Sequence, residues 1–257
     1  MRGNTAGIRD YVDFHSIRTY ISTLVQMIAE RLEKIRQRIA GACDRAGRNP
    51  AEVTLIAVAK TFPPDAVREA VALGAVDVGE NYVQELLSKR EILDALPIRW
   101  HFIGHLQRNK VRFIVPWVRM IHAVDSLALA SDIDRQALKS GSTVDVLVEV
   151  NTTGEESKFG VSPGEVAGFV RNLSDLSSIN IAGLMTIGPF LPDPEGSRPM
   201  FRTLRTLRDE IRATGQRNAS MEVLSMGMTG DFEVAIDEGA THVRIGTALF
   251  GSRTRKG

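Results

Sequence analysis

The feature that most constrains this chain is a short apolar run, rich in β-branched residues, that ends in a lysine. It occupies residues 53–61, with the sequence VTLIAVAKT, and Phe62-Pro63-Pro64 then stops it. An apolar run of this length that is ended by prolines predicts a buried strand that is covered on both faces, as in a parallel sheet. Lys60 would then lie at the rim of the sheet, where it either extends into water or joins a site built by other strand ends.

The rest of the chain repeats a strand followed by an amphipathic helix, with short turns between them. After the run at 53–61, the predicted strands are 76–78, 99–103, 118–122, 144–150, 179–184, 221–224 and 242–245. Predicted helices follow them, and one of these begins at Ser162-Pro163. Eight such units in about 195 residues predict a single closed α/β domain, the (β/α)8 TIM barrel. An open doubly wound sheet is the alternative, but no GxGxxG fingerprint follows the first strand.

The N-terminal part precedes the first strand and is predicted in two pieces. Residues 1–20 have no clear period and are expected to form a poorly ordered extension. From Ile21 to about residue 46, apolar residues recur at steps of three and four, which predicts an extra amphipathic helix. This helix would pack on the outside of the barrel, and residues 21–257 would form one barrel domain.

Composition favours a cytoplasmic protein without metal, nucleic acid or membrane as partner. The net charge of +1 gives no general reason to expect an anionic polymer or surface. No apolar stretch approaches the length of a membrane span, and the N-terminus lacks a secretory signal. Cys43 is the only cysteine, so no internal disulfide forms, and we expect it to pack in the core. The five histidines lack the spacing of a metal site.

In a parallel barrel the C-terminal ends of all strands share one face, where reactive groups gather. These ends contain one amine, one guanidinium and small polar groups, but no carboxylate pair and no Ser-His-Asp or Cys-His set, so we assign no catalytic residue. Asn81 and Met185 are expected to line the pocket. The strand-end residues are Lys60, Asn81, Gly104, His105, Asp125, Asn151, Met185, Thr186, Ser225, Arg244 and Gly246.

The two last loops are typical of a phosphate site. Residues 224–229 follow the seventh strand and residues 243–248 follow the eighth, and both supply small residues with backbone N–H groups. Glycines that serve tight turns only are the alternative. Together with a lysine and an arginine, the pattern points to pyridoxal 5′-phosphate (PLP) held by Lys60 as a Schiff base, with Arg244 at the ring nitrogen. An arginine there disfavours demanding carbanion chemistry.

Several longer motifs resemble the signatures of the pyridoxal phosphate homeostasis proteins. Together they span roughly residues 21–253, in order, and lie at residues 57–61, 79–85, 100–110, 156–160, 183–185, 224–228 and 243–251. The sequence departs from the expected pattern at Ala59, at Thr229-Gly230-Asp231 and in the tail, which lacks a tyrosine.

The resemblance implies a barrel like the N-terminal domain of alanine racemase, with PLP on Lys60 and Arg244 at its ring nitrogen. It implies phosphate contacts from Ser225, Gly246 and Thr247. It further implies a protein without appreciable catalytic turnover, which binds PLP reversibly and buffers it or delivers it to PLP-dependent apo-enzymes.

Two other functions remain open from the residues. A PLP-dependent racemase or lyase is one, although racemases of this type append a second domain and only eleven residues follow Gly246 here. A cofactor-free aldolase that uses the lysine directly is the other. Lys158 and Lys110 are secondary candidates for contact with PLP, and His101 is either a core residue or a ligand. A short chain with an uncovered mouth favours a monomer.

Overall fold

The computed structural model describes residues 14–155, 159–189 and 191–251. Eight parallel strands form a closed barrel in chain order, and the last strand pairs with the first. This confirms the predicted (β/α)8 barrel. The strands are β1 (Thr54–Val58), β2 (Asp77–Glu80), β3 (Arg99–Phe102), β4 (Met120–Val124), β5 (Val144–Glu149), β6 (Ile179–Met185), β7 (Val223–Met228) and β8 (His242–Ile245).

Helices surround this barrel and connect most successive strands. They are α1 (Phe14–Arg45), α2 (Pro64–Ala72), α3 (Val83–Ile92), α4 (Val111–Ile114), α5 (Leu127–Lys139), α6 (Val166–Leu173), α7 (Arg198–Ala213), α8 (Phe232–Asp237) and α9 (Thr247–Phe250). Within the ranges given above, no helix has the length and apolar character that a membrane crossing requires.

The extra N-terminal helix is present and packs on the outside of the barrel, as predicted. Helix α1 buries Ile28, Leu32, Ile35 and Ile39 on one face, against α2, α8 and α9. It already includes Phe14, the first described residue, whereas the apolar period predicts a start near residue 21. The first thirteen residues of the predicted extension lie outside the described part of the chain.

The protein has two buried regions of different chemistry, one between the strands and the helices and one inside the barrel. Apolar side chains from the outer strand faces and the helices form the large core, which contains the buried Cys43. Inside the barrel, a small apolar cluster from β4, β5 and β6 contains Met120, Leu147 and Met185. The remaining lumen is polar, because His101, His122 and Arg244 are all buried there with hydrogen bonds to one another or to neighbouring strands.

Among the predicted boundaries that are wrong, two lie next to the mouth. Strand β7 was expected to end before Ser225, but it continues to Met228, with a register shift against β8 and Gly227 at a φ of 88°. A Cβ atom at Gly227 would lie 2.5 Å from Cβ of Ala235, so only glycine fits there. Helix α6 begins at Val166 and not at Pro163, because Glu165 N–H bonds to the Ser162 carbonyl in a turn that precedes the helix.

Candidate functional site

Lys60 lies two residues beyond the end of β1, at the mouth formed by the C-terminal strand ends. The ladder continues past the strand, since Ala59 N–H donates to the Gly79 carbonyl at 2.9 Å. Because side chains alternate along a strand, Lys60 lies on the same face as Val58, and its side chain is half-buried. The lysine predicted from the first apolar run therefore stands on the mouth of the barrel.

A buried ion-pair cluster between β2 and α3 holds the backbone on both sides of Lys60. Lys89 of α3 donates from Nζ to the Ala59 carbonyl, to Glu80 Oε1 and to Glu85 Oε1, each at 2.6 Å. Glu85 also accepts from the Thr61 N–H at 2.5 Å. The Glu80–Lys89–Glu85 cluster thus fixes the carbonyl before Lys60 and the N–H after it.

The turn after Lys60 is strained. Thr61 has a φ of 68°, in the left-handed region that β-branched residues avoid. Such strain costs about 1–3 kcal/mol and persists only where surrounding contacts impose it. The Glu85 carboxylate on the Thr61 N–H is one such contact, and the Phe62 N–H bond to the Ala59 carbonyl, at 3.0 Å, is another. The strain therefore serves to turn the chain sharply away just behind Lys60.

Arg244 of β8 is the second charged group of the site and is buried in the lumen. Its Nη1 donates to the Ser225 carbonyl at 2.8 Å and to Ser225 Oγ at 2.6 Å, and its Nη2 donates to the Thr186 carbonyl at 2.8 Å. Burial lowers the pKa of Arg244 to about 10, against the opposing effect of Glu149. The guanidinium is thus positioned by strand ends of β6 and β7, and it stays charged at neutral pH.

Gly246 follows β8 beside the end of β1. Strand pairing places Ala57 opposite Ile245, and a Cβ atom at Gly246 would lie 3.3 Å from the Val58 carbonyl oxygen. Thr247 then begins the one-turn helix α9, which the sequence did not predict. Gly246 and Thr247 are therefore next to the strand that carries Lys60, with backbone N–H groups at the start of a helical turn.

Three further residues form a row across β5, β6 and β7 at the mouth. The register aligns Glu149 with Met185 and Met185 with Ser225, and all three are buried. Ser225 lies inside β7 rather than in a loop, so its side chain is deeper than predicted. The structure brings Met185, Ser225 and Arg244 together.

Glu149 is a site residue that sequence reasoning missed. Burial, together with the nearby Asp125 carboxylate, raises its pKa to about 7, although Arg244 acts in the opposite direction. A group with such a pKa can hold or release a proton at neutral pH. Alternation could have found it, because Glu149 is two residues beyond the inward-facing Leu147.

The β2–β3 side of the mouth has a cavity of about 570 Å³ lined by residues that include Asn81, His105 and Lys110. Oδ1 of Asn81 is buried there and finds no hydrogen-bond partner among the described residues. His105 stacks on Phe159, with ring centroids 4.1 Å apart. Lys158, the other secondary candidate, lies outside the described residues.

The donor set fits a ligand that carries an anion and an aromatic ring nitrogen. Arg244 uses three of its five N–H groups on protein oxygens in the contacts described, which leaves two for a ligand. Asn81 has a buried amide oxygen without a partner within the described chain, and Lys60 supplies an amine at the same mouth. In the described ranges, no group of three or more His, Cys, Asp or Glu side chains could hold a metal ion.

Comparisons with known proteins agree with this fold. Residues 31–254 match the family model of the alanine racemase N-terminal domain. The pyridoxal phosphate homeostasis protein of Aquifex aeolicus (strain VF5) is 48% identical over 224 residues, which cover 87% of this chain and 97% of that protein.

Solved structures give the same result. PipY of Synechococcus elongatus PCC7942, determined with PLP bound, is 37% identical with a TM-score of 0.76, and the match covers 87% of this chain and all of PipY. Alanine racemase of Clostridium difficile 630 is 14% identical with a TM-score of 0.70 and shares the fold. The match covers 90% of this chain but 58% of the racemase.

Proposed function

This chain belongs to the pyridoxal phosphate homeostasis proteins, within the alanine racemase N-terminal domain family, and on that premise we propose that it binds PLP reversibly at the mouth of its barrel. It buffers PLP or delivers it to PLP-dependent apo-enzymes. The observation that carries the proposal is the convergence of Lys60, Arg244 and the Gly246 turn on one mouth, in a chain 37% identical to the PLP-bound PipY.

PLP supplies an aldehyde that forms a Schiff base with a lysine amine when it is bound. In this chain Lys60 is the amine, and the Lys89 cluster keeps its backbone in place. Arg244 directs its remaining N–H groups to the ring nitrogen, and Asn81 and Met185 line the ring. Backbone N–H groups at Gly246 and Thr247, and the Ser225 region, hold the phosphate.

We infer that the protein acts without appreciable catalytic turnover. An arginine at the ring nitrogen keeps that nitrogen unprotonated, which weakens the electron sink that racemases and lyases with a protonated ring use. One observation favours the racemase or lyase alternative, namely the near-neutral pKa of Glu149 in the mouth, which suits an acid or base. Incubation of the purified protein with L- or D-alanine distinguishes the two, since sustained racemisation that disappears in Lys60→Ala supports the enzyme.

The setting of the function follows from the same reasoning. We propose a cytoplasmic protein that is a monomer, with residues 21–257 as one PLP-binding domain and residues 1–20 as an extension. Apo-enzymes that need PLP are its proposed protein partners, and nucleic acid and membranes are not.

Reduction of the PLP-loaded protein with sodium borohydride tests the site. The reagent converts the covalent lysine linkage to a stable amine, so digestion and mass spectrometry identify the modified residue. We expect the label on Lys60, its loss in Lys60→Ala, and its retention in the matched control Lys110→Ala at the same mouth. A protein that takes up no PLP, or that carries the label on another lysine in wild type, would contradict the proposal.

A further inference from the structure

A continuous row of hydrogen bonds crosses the barrel lumen from the end where the strands begin, here called the floor, to the mouth. His101 Nε2 lies 3.0 Å from Asp77 Oδ1, and His101 Nδ1 lies 3.0 Å from Nε2 of His122. Nδ1 of His122 then lies 2.9 Å from Ser225 Oγ, which also accepts from Arg244. His101, His122 and Ser225 are each no more than 2% exposed. We call Asp77, His101 and His122 the relay.

The floor end of the relay is fixed as a hydrogen-bond acceptor. Burial opposes ionisation of Asp77, but hydrogen bonds from Arg99 and His101 outweigh it and hold the pKa of the carboxyl well below its ordinary value. Arg99 donates to both carboxylate oxygens, and the contact from its Nε measures 2.7 Å. An ionised carboxylate accepts only, so the Nε2 atom of His101 carries a proton.

Because Nε2 of His101 donates to Asp77, the protons on the remaining nitrogens of the relay and on Ser225 have two possible arrangements. When His101 is neutral, its Nδ1 accepts from His122 Nε2–H, and His122 Nδ1 accepts the Ser225 hydroxyl proton. When the relay takes up one proton, His101 carries protons on both nitrogens and His122 carries its proton on Nδ1. Ser225 Oγ then accepts from His122 as well as from Arg244, and its own hydroxyl proton is available to a ligand oxygen.

Of the two imidazoles of the relay, His101 is the one that hydrogen-bonds to a carboxylate, with Nε2 3.0 Å from Asp77 Oδ1. Burial and the nearby His101, His242 and Arg244 hold the pKa of His122 far below its ordinary value, so His122 stays neutral. His101 instead contacts the Asp77 carboxylate. His242 of β8 also faces the relay, with ring centroids 6.2 Å from His101 and 6.3 Å from His122.

Protons can reach the floor end from solvent. Asp77 and Arg99 line a cleft of about 360 Å³ between the floor and α1. The Arg99 side chain is 56% exposed, whereas the lumen members of the relay are sealed from water. Arg119, which precedes β4, is another cation close to this end and contributes to the low pKa of His242.

We propose that Asp77, His101 and His122 are positioning residues for the ligand site: through the tautomer of His122 they decide whether the Ser225 hydroxyl donates to the ligand or turns away from it. Proton uptake at the floor thereby strengthens the hold on an anionic ligand at the mouth. This rests on the proposed function, because the ligand concerned is the phosphate-bearing PLP.

The variant Asp77→Asn tests the relay because it keeps the size of the side chain but removes the negative charge and replaces one acceptor oxygen with an N–H donor. The matched control is Asp145→Asn, which breaks a similar floor pair, Asp145 with Arg119 at 2.8 Å, outside the relay. We expect Asp77→Asn to weaken PLP affinity about 3- to 10-fold and to flatten its dependence on pH. Asp145→Asn should change neither.

A second readout needs no PLP. Nitrogen-15 NMR of the histidine rings should show His122 with its proton on Nε2 at high pH and on Nδ1 at low pH in wild type, and this exchange should be lost in Asp77→Asn. If wild type binds no PLP, the proposed function fails while the NMR result still decides the relay. If wild type binds PLP, and both variants match it in affinity, pH dependence and tautomer, the relay is wrong.

Should Asp77→Asn fail to fold, Ser225→Ala serves in its place. Removing the hydroxyl that the relay orients should flatten the pH dependence of affinity relative to wild type while His122 still changes tautomer. A pH dependence of affinity in Ser225→Ala that equals that of wild type would overturn the proposal.

Discussion

The two walls of the mouth are supported in opposite ways. The β1–β2 wall, which carries Lys60, is held from outside the barrel by the Lys89 cluster, where one ammonium meets two carboxylates and a carbonyl. The β7–β8 wall, which carries Arg244, is held from inside the barrel by carbonyls, a hydroxyl and the relay. One support is an ion-pair cluster, and the other is a set of hydrogen bonds from a buried cation to neutral groups.

This difference predicts that substitutions in one wall mainly change protein stability and that substitutions in the other mainly change ligand affinity. Removing one member of a buried ion pair leaves an unpaired charge in the core, which is expensive for the fold. A buried cation among neutral dipoles has already lost its water without gaining a close counterion, so its removal costs the fold less. The first wall should therefore govern stability, and the second should govern affinity for the ligand.

The largest expected effect is on the first wall. Lys89→Met should lower the free energy of unfolding by about 3–5 kcal/mol at pH 7, because Glu80 and Glu85 lose their shared cation. Chemical denaturation measures it, with the exposed Lys34→Met on α1 as control. The loss should shrink at lower pH, since burial already raises the pKa of Glu80 to about 7 and protonation then removes its charge. A loss no greater than that of Lys34→Met would mean that the cluster supports nothing.

The second wall should show the reverse behaviour. Arg244→Met removes the charged hydrogen bonds that we propose to PLP, each worth about 1.5–3 kcal/mol, so PLP affinity should fall about 10- to 100-fold. Its unfolding free energy should change less than that of Lys89→Met. Equilibrium titration with PLP and denaturation of the same samples measure both, with the exposed Arg212→Met as control. Equal stability losses in Arg244→Met and Lys89→Met would erase the contrast between the walls.

The smallest effect concerns pH. Burial raises the pKa of Glu149 from 4.5 to about 7 in the folded protein, so the folded state binds this proton more readily than the unfolded state. Its contribution therefore lowers stability as pH rises from 4.5 to about 7. Glu149→Gln should remove a slope of up to about 1.4 kcal/mol per pH unit within that window.

Denaturation curves at several pH values measure this slope. The remaining slope in Glu149→Gln should combine Glu80, on the other wall, which has a similar pKa, with opposite contributions from His122 and His242, whose pKa values burial lowers. An unchanged slope would show that Glu149 titrates alike in the folded and unfolded chain.

Local patterns were enough to predict the barrel, because buried strands and amphipathic helices alternate with clear turn signals. The boundary of β7 was not predictable in this way, since Ser225 to Met228 contains no β-branched residue. Pairing with β6 and β8 makes that segment a strand, and pairing is a property of the whole barrel.

In the candidate site, too, local sequence patterns predict some residues, and others depend on how distant parts of the chain pack. Lys60 and Arg244 could be predicted because strand ends of a parallel barrel share one face. The relay could not, since His122 and Ser225 are 103 positions apart in sequence and meet only across the lumen. Lys89 was not singled out from the sequence, because its burial depends on how α3 lies against β1 and β2. His101, left open by the sequence, is a buried lumen residue.

The cleft beside Asp77 and Arg99 has a practical consequence. It is a second solvent-accessible site, at the opposite end of the barrel from the mouth through which PLP enters. A small molecule bound in this cleft, or a surface substitution there, could change how tightly PLP is held without competing for the PLP site. The affinity of an engineered PLP biosensor could therefore be adjusted by substitutions at that end of the barrel, while the residues that contact PLP stay unchanged.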